Sequence, residues 1–181
     1  MVEDLCFHIF DIVQNSVAAG ASTVTVRVEK LDGAKDLSLA VIDDGKGMDQ
    51  ETVLRVQDPF YTTKGYKKVG LGIPLLKQTA QICEGSFDLR SKLGEGTAIE
   101  VHLKGDHIDC PPLGNLVDTA LSLITGFEGV NVVFLFRTDK GELRLSTDEV
   151  RQQIGEELHM THPDVLSFLR SYLSEGIGEL L

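Results

Sequence analysis

The sequence has no tryptophan, and no apolar run nears the ~18–20 residues that span a bilayer, so it offers no transmembrane helix to place. Cysteine is scarce too. Cys6, Cys83 and Cys110 are scattered, odd in number and without CxxC spacing, which predicts neither a disulfide framework nor a zinc site. Positive charge is in short supply, with 17 Lys and Arg against 28 Asp and Glu, a net charge of −11 and a pI near 4.8. That balance excludes a sequence-independent nucleic-acid binder, which needs a cationic face. The opening MVEDLCFHIF is acidic where a signal peptide is basic, so the expectation is a cytoplasmic protein without membrane attachment.

What is present is enough apolar material for an ordinary core. Hydrophobic residues make up 42% of 181 residues, and the mean hydropathy is +0.01. The acidity is uneven, with a net −3 over residues 1–104 and −8 over residues 105–181. The shift falls just before Cys110-Pro111-Pro112-Leu113-Gly114, a turn-rich stretch. The reading is a first domain over 1–104 and a small α+β extension over 105–181, which either completes the fold or binds a partner.

Periodicity sets the element order. Leu5, Ile9, Ile12, Val13 and Val17 recur at helical spacing, with Gly20 as a stop. Residues 23–29 alternate as a half-buried strand, and Asp32-Gly33 turns into a second strand over 37–42. Residues 43–72 lack periodicity and read as mostly loop, and a loop that long in a compact domain is usually functional. A helix over 73–83 and strands over 86–90 and 97–103 follow. The extension gives a helix over 116–125, strands over 130–138 and 142–145, a helix from 147 opened by a Ser146/Glu149 capping box, and a last helix from Pro163. The fold class is α+β, a two-layer sandwich of a mainly antiparallel sheet covered by helices.

Four short motifs carry the candidate chemistry. Asp11 and Asn15 stand four apart on one helical face, a carboxylate and an amide oxygen suited to a magnesium ion that keeps waters and phosphates as its other ligands. Alone, the pair reads more readily as the polar outer face of an amphipathic helix. Asp43-Asp44-Gly45-Lys46-Gly47-Met48 ends a strand. Its glycines permit close approach of a flat ligand, Asp43 can accept from an exocyclic amine, and Met48 offers a polarizable contact. Phe60-Tyr61-Thr62-Thr63-Lys64 leads to Gly70-Leu71-Gly72 at a helix start, where backbone N–H groups and the dipole favour anions. Leu71-Gly72 replaces the Lys-[Ser/Thr] of a Walker A loop. Gly94-Glu95-Gly96-Thr97 opens the last strand of the first domain.

The ordered set resembles the GHKL superfamily of ATP-binding domains, which includes DNA gyrase, the ninety-kilodalton heat-shock chaperone, histidine kinases, anti-sigma serine kinases and MutL. Asp11 to Asn15 match the N box, Asp43-x-Gly45-x-Gly47 the G1 box, Phe60 the F box, Gly70-Leu71-Gly72 the G2 box and Gly94-x-Gly96-Thr97 the G3 turn. The resemblance covers roughly residues 5–103. It implies the Bergerat ATP-binding fold, ATP and Mg2+ as cofactors, and Asn15 on the metal. It also implies Asp43 on the adenine amine, with Thr97 supporting it through water. Gly70, Leu71 and Gly72 would cradle phosphates, the segment between Met48 and Gly70 would form a lid, and Lys64 would reach the γ-phosphate.

Two departures shape the expected function. Hydrolysing members commonly carry Glu four residues before the N-box Asn as general base; Asp11 stands here, one methylene shorter. No histidine sits in an H-box pattern, and residues 1–4 leave no room for a phosphoacceptor hairpin, so self-phosphorylation of the histidine-kinase type is not expected. The leading expectation is an ATP–Mg domain that couples nucleotide state to an unidentified protein partner, by slow hydrolysis or by protein phosphorylation as in anti-sigma kinases. The alternative is a non-catalytic nucleotide-sensing module, and a homodimer stays open.

Overall fold

A computed structural model describes residues 4–31, 35–59, 71–155 and 158–181. Helix α1 (Leu5–Ala18) leads into strands β1 (Thr23–Leu31) and β2 (Asp36–Asp43), then helices α2 (Gln50–Arg55) and α3 (Gly72–Ile82). Strands β3 (Ser86–Lys92) and β4 (Gly96–Lys104) follow. The extension adds α4 (Leu116–Gly126), β5 (Asn131–Thr138), β6 (Gly141–Ser146), α5 (Thr147–Ile154) and α6 (Pro163–Leu180). The six strands form one sheet in the order β3-β4-β2-β1-β5-β6, antiparallel except where β5 runs parallel to β1. This is the α+β sandwich expected.

Alternation decides which side chains meet the helices. Val24, Val26 and Val28 of β1, Leu37, Leu39 and Val41 of β2, and Phe134 and Phe136 of β5 are all buried in one core with the apolar stripes of α1, α3, α4 and α6. The opposite face is polar, laced by Arg27–Glu100, Arg90–Glu100 and Arg137–Glu29 ion pairs. One apolar and one wet face is the ordinary arrangement for a mostly antiparallel sheet.

The segment between β4 and α4 is stitched to the first half of the chain. The N–H groups of Leu5 and Cys6, which open α1 and have no intrahelical partner, donate to the carbonyls of Pro112 and Leu113 at 2.9 and 3.0 Å. Cys83, which caps the C-terminus of α3, is joined in a disulfide to Cys110, with Cα atoms 4.7 Å apart. This corrects the expectation that no disulfide framework exists. The pairing is non-local, made when the chain turns back after β4, and spacing along the sequence carries no sign of it. Cys6 is a buried free thiol whose pKa burial pushes up to about 11.

A second difference lies in residues 43–72, read as mostly loop. Residues 50–55 form α2, capped by Asp49, whose side chain accepts from the Thr52 N–H at 2.7 Å, and braced by a Glu51–Arg55 ion pair one turn apart. The Asp32-Gly33 turn lies outside the described residues.

Candidate functional site

Strand register builds the centre of the site. Residues 37, 39 and 41 of β2 point at the helices, so Asp43, next in that row, points the same way. Its cross-strand neighbours are Val24 on β1 and Thr97 on β4, and Thr97 in turn faces Ser91 on β3. The apolar face of the sheet therefore ends in a polar row, Asp43–Thr97–Ser91.

Asp43 is 9% exposed and held at both oxygens: Oδ2 accepts from Ser16 Oγ at 2.6 Å and Oδ1 from the Gly45 N–H at 2.9 Å. An ionised carboxylate has about four lone-pair positions, so this oriented group retains capacity for further donors. Its neighbour Asp44 is exposed and differently engaged. It accepts from Ser22 Oγ at 2.6 Å and from the Ser22 and Thr23 N–H groups at 2.8 Å each, bonds led by the Ser22 hydroxyl that hold its carboxyl below the ordinary carboxylate range. The register thus separates two adjacent aspartates: Asp43 faces the helices, and Asp44 ties the loop to the start of β1.

Ser91 organises the row. Its hydroxyl donates to the Gly96 carbonyl at 2.8 Å, receives the Met48 N–H at 2.8 Å, and lies 2.9 Å from Thr97 Oγ1. The single Ser91 proton is committed to Gly96, so Thr97 donates to Ser91 and keeps its own lone pairs as acceptors. The turn after β2 and the turn before β4 are also zipped by the Gly94 N–H to the Lys46 carbonyl at 2.8 Å. Contact is closest at Gly47 and Gly96, both at positive φ (+64° and +94°). A Cβ there would sit 1.9 Å from the carbonyl oxygens of Lys92 and Asp43 respectively.

The second half of the site is where α3 meets α1. Gly72 opens α3 against the polar side of α1: a Cβ on it would lie 3.3 Å from Asp11 Cβ and 3.7 Å from Asn15 Nδ2. Asp11 and Asn15 are half-buried there, one turn apart. Leu71, at the N-cap, is exposed and makes no side-chain capping bond, so the first N–H groups of α3 have no side-chain cap from that residue. Helix α1 joins both halves. Asn15 faces Gly72, Ser16 holds Asp43, and the Ala19 carbonyl accepts from the Lys46 N–H at 3.0 Å.

The structure therefore brings Asp11, Asn15 and Gly72 together on one side of α1, and Asp43, Gly45, Gly47, Met48 and Thr97 together beside its C-terminal half. Phe60, Lys64 and Gly70 lie outside the described residues. Sequence reasoning missed Ser16, Ser91 and Asp44. Only Ser16 left a local signal, since it follows Asn15 on a helix already read as buried on that side; Ser91 needed the register. His8, three residues before Asp11, is 1% exposed and hydrogen-bonded through Nε2 to Thr79 Oγ1 on α3 at 2.9 Å, and burial lowers its pKa. It is a packing histidine.

A family model described as histidine kinase-, DNA gyrase B-, and HSP90-like ATPase matches residues 2–107. The chain belongs to this GHKL ATPase family. Among relatives, sporulation kinase C of Bacillus subtilis is 30% identical over 93 residues, covering 51% of this chain and 22% of the kinase. Sensor protein kinase FleS of Pseudomonas aeruginosa is 36% identical over 89 residues, covering 49% of this chain and again 22% of the kinase. The chain thus matches about a fifth of each kinase's length. The N-terminal domain of a DNA repair protein superposes with a TM-score of 0.54 at 15% identity, covering 86% of this chain and 58% of that one, a likeness of fold. Membership in an ATPase family supports ATP as ligand. Residues 108–181 lie beyond the matched region. No helix among the described residues is long and apolar enough to cross a membrane.

Proposed function

We propose that this protein binds ATP–Mg between α1, the ends of β2 and β4, and the start of α3, and couples nucleotide state to a protein partner. The coupling runs through slow hydrolysis or through phosphorylation of that partner. One observation carries the reading: a single helix, α1, contacts an oriented, buried carboxylate (Asp43) through Ser16 and the opening glycine of α3 through Asp11 and Asn15. An adenine amine and a polyphosphate are the two ends of one ligand that needs both.

In this reading Asp43 accepts from the adenine amine, and Thr97 supplies an acceptor beside it. Gly45 and Gly47 let the ring approach the backbone, and Met48 packs against it. Gly72 and Leu71 offer the N-terminus of α3 to the phosphates. Phe60, Lys64 and Gly70 enter through the family resemblance. No group of three or more His, Cys, Asp or Glu side chains placed to hold a metal ion exists among the described residues. A magnesium ion that arrives with the phosphates would need few protein ligands. Asn15 would hold it, and it would neutralise phosphate charge. Asp11, one turn before Asn15 and facing the opening of α3, would act as the general base.

Phosphate release from ATP–Mg tests the catalytic half. Release should be slow and fall by about 100-fold in Asp11→Asn, the usual scale for losing a general base. Full turnover in that variant removes Asp11 from the mechanism. ATP binding with no release in the wild type makes the protein a nucleotide sensor.

A further inference from the structure

Outside the ATPase region the molecule has a groove of about 330 Å³ between α5 and α6, with β6 as its floor. Its floor residues Leu145, Val150, Val165 and Leu169 are buried, while Phe168 and Tyr172 on its rim are 62% and 41% exposed and stack at 6.4 Å. Helix α6 already buries one apolar stripe, Val165, Leu169, Leu173 and Ile177, in the core. The aromatic pair belongs to a second stripe that the fold does not use.

That second stripe has a definite charge. Asp164, Phe168, Tyr172, Glu175 and Glu179 follow at three- or four-residue steps, so they share one face over about 22 Å of helix. Neither Glu175 nor Glu179 forms an ion pair with a described residue. The only cation of α6, Arg170, is turned away to Asp118 on α4. The arginines of β6 and α5, Arg144 and Arg151, are engaged by Glu149 and Asp148. The groove is thus apolar at its centre, Arg144 and Glu149 cancel within it, Asp164 stands at one end of it, and Glu175 and Glu179 continue the same face of α6 beyond it.

We propose that this groove is the docking site for an amphipathic helical segment of another protein, one that presents apolar anchors flanked by lysine or arginine. Helix-in-groove recognition uses anchors at i, i+3 or i+4 and i+7, which is the spacing the rim offers from its own side. The length of the stripe exceeds that of a small molecule. A second copy is disfavoured, because a two-fold pairing of this face sets the acidic residues Asp164, Glu175 and Glu179 of one copy against those of the other in a chain of net charge −11. This deepens the reading above by giving the partner a place, and rests on it only in calling that partner the target of nucleotide coupling.

The test is a display library of helix-forming peptides with Leu or Phe at i, i+3, i+4 and i+7, and Lys or Glu at the remaining positions. It is panned on the full chain without nucleotide. The expected result is enrichment of Lys-flanked members whose affinity falls about tenfold or more in Phe168→Ala and in Tyr172→Ala. The same peptides should weaken with added salt and in Glu175→Lys/Glu179→Lys. All four side chains are exposed, so circular dichroism should show these variants folded. No enrichment, enrichment of Glu-flanked peptides, or binding indifferent to the variants overturns the proposal. So does sedimentation showing a dimer that Tyr172→Ala dissociates, since the occupant is then a second copy. ATP titration of the same variants keeps the two readings apart: intact nucleotide binding with no peptide bound sinks the groove alone.

Discussion

Ser16 makes the most specific demand of any side chain at the site. It spends its hydroxyl proton on Asp43 and touches no proposed ligand atom, so it acts as a positioning residue. Ser16→Ala should weaken ATP binding by about tenfold, the scale of one hydrogen bond to a charged group, while leaving the fold intact. Calorimetry checks the first and thermal melting the second. His8 makes a different demand. Burial lowers its pKa, so the folded state resists protonation that the unfolded chain accepts below about 6.5. Stability is therefore full above that pH and declines as pH falls below it, toward the lowered folded pKa. A melting temperature that drops between pH 7 and 5, with a flatter profile in His8→Leu, is the expected outcome. Asp44, held below the carboxylate range by Ser22 and Thr23, contributes its own decline only at lower pH, below about 3.8, so the two windows separate.

At the scale of elements, strong periodicity made most of the fold readable, and non-local pairing hid the rest. Helix α1, strands β1 to β6 and helices α3 to α6 stand within a few residues of where spacing, caps and turns put them. Ser146 does cap α5, accepting from the Glu149 N–H at 3.2 Å, and Pro163 does open α6. Helix α2 was missed because six residues are too short for a periodic signal, although Asp49 and the Glu51–Arg55 pair mark its ends. Candidate residues carried by one motif, such as Asp43 with its glycines, stand together in the structure as their spacing implies. Ser91 was not legible, since its role exists only once β3 lies beside β4. The Cys83–Cys110 bridge escaped for the same reason. Closing a loop between residues 27 apart should contribute about 3.5 kcal/mol by the chain-entropy account. Cys110→Ser, or reduction by a dithiol, should lower the urea-unfolding free energy by that order. The glycines of the paired turns offer a sharper local test. Gly96→Ala forces a Cβ onto the Asp43 carbonyl at positive φ and should destabilise by at least about 2 kcal/mol, read by the same unfolding assay.

For the molecule as a whole, the parallel pairing of β5 with β1 is the decisive fact. It places residues 105–181 in the same sheet and the same core as the ATPase region, with Thr23 to Lys30 in register with Asn131 to Thr138. The proposed nucleotide site lies on the β2–β4 side of that sheet and the groove on its β6 edge, so both are built on one continuous sheet. Nucleotide can influence a partner in the groove only through its differential affinity for two arrangements of that shared scaffold. The central claim beneath this is that Asp43 holds the adenine of ATP. Calorimetric titration of ATP–Mg into the wild type and into Asp43→Asn tests it most directly. Clear binding by the wild type and a loss of roughly 10- to 100-fold in the variant, the worth of a hydrogen bond to a buried carboxylate, are expected. Equal affinity in the two proteins, or no binding by either, contradicts it.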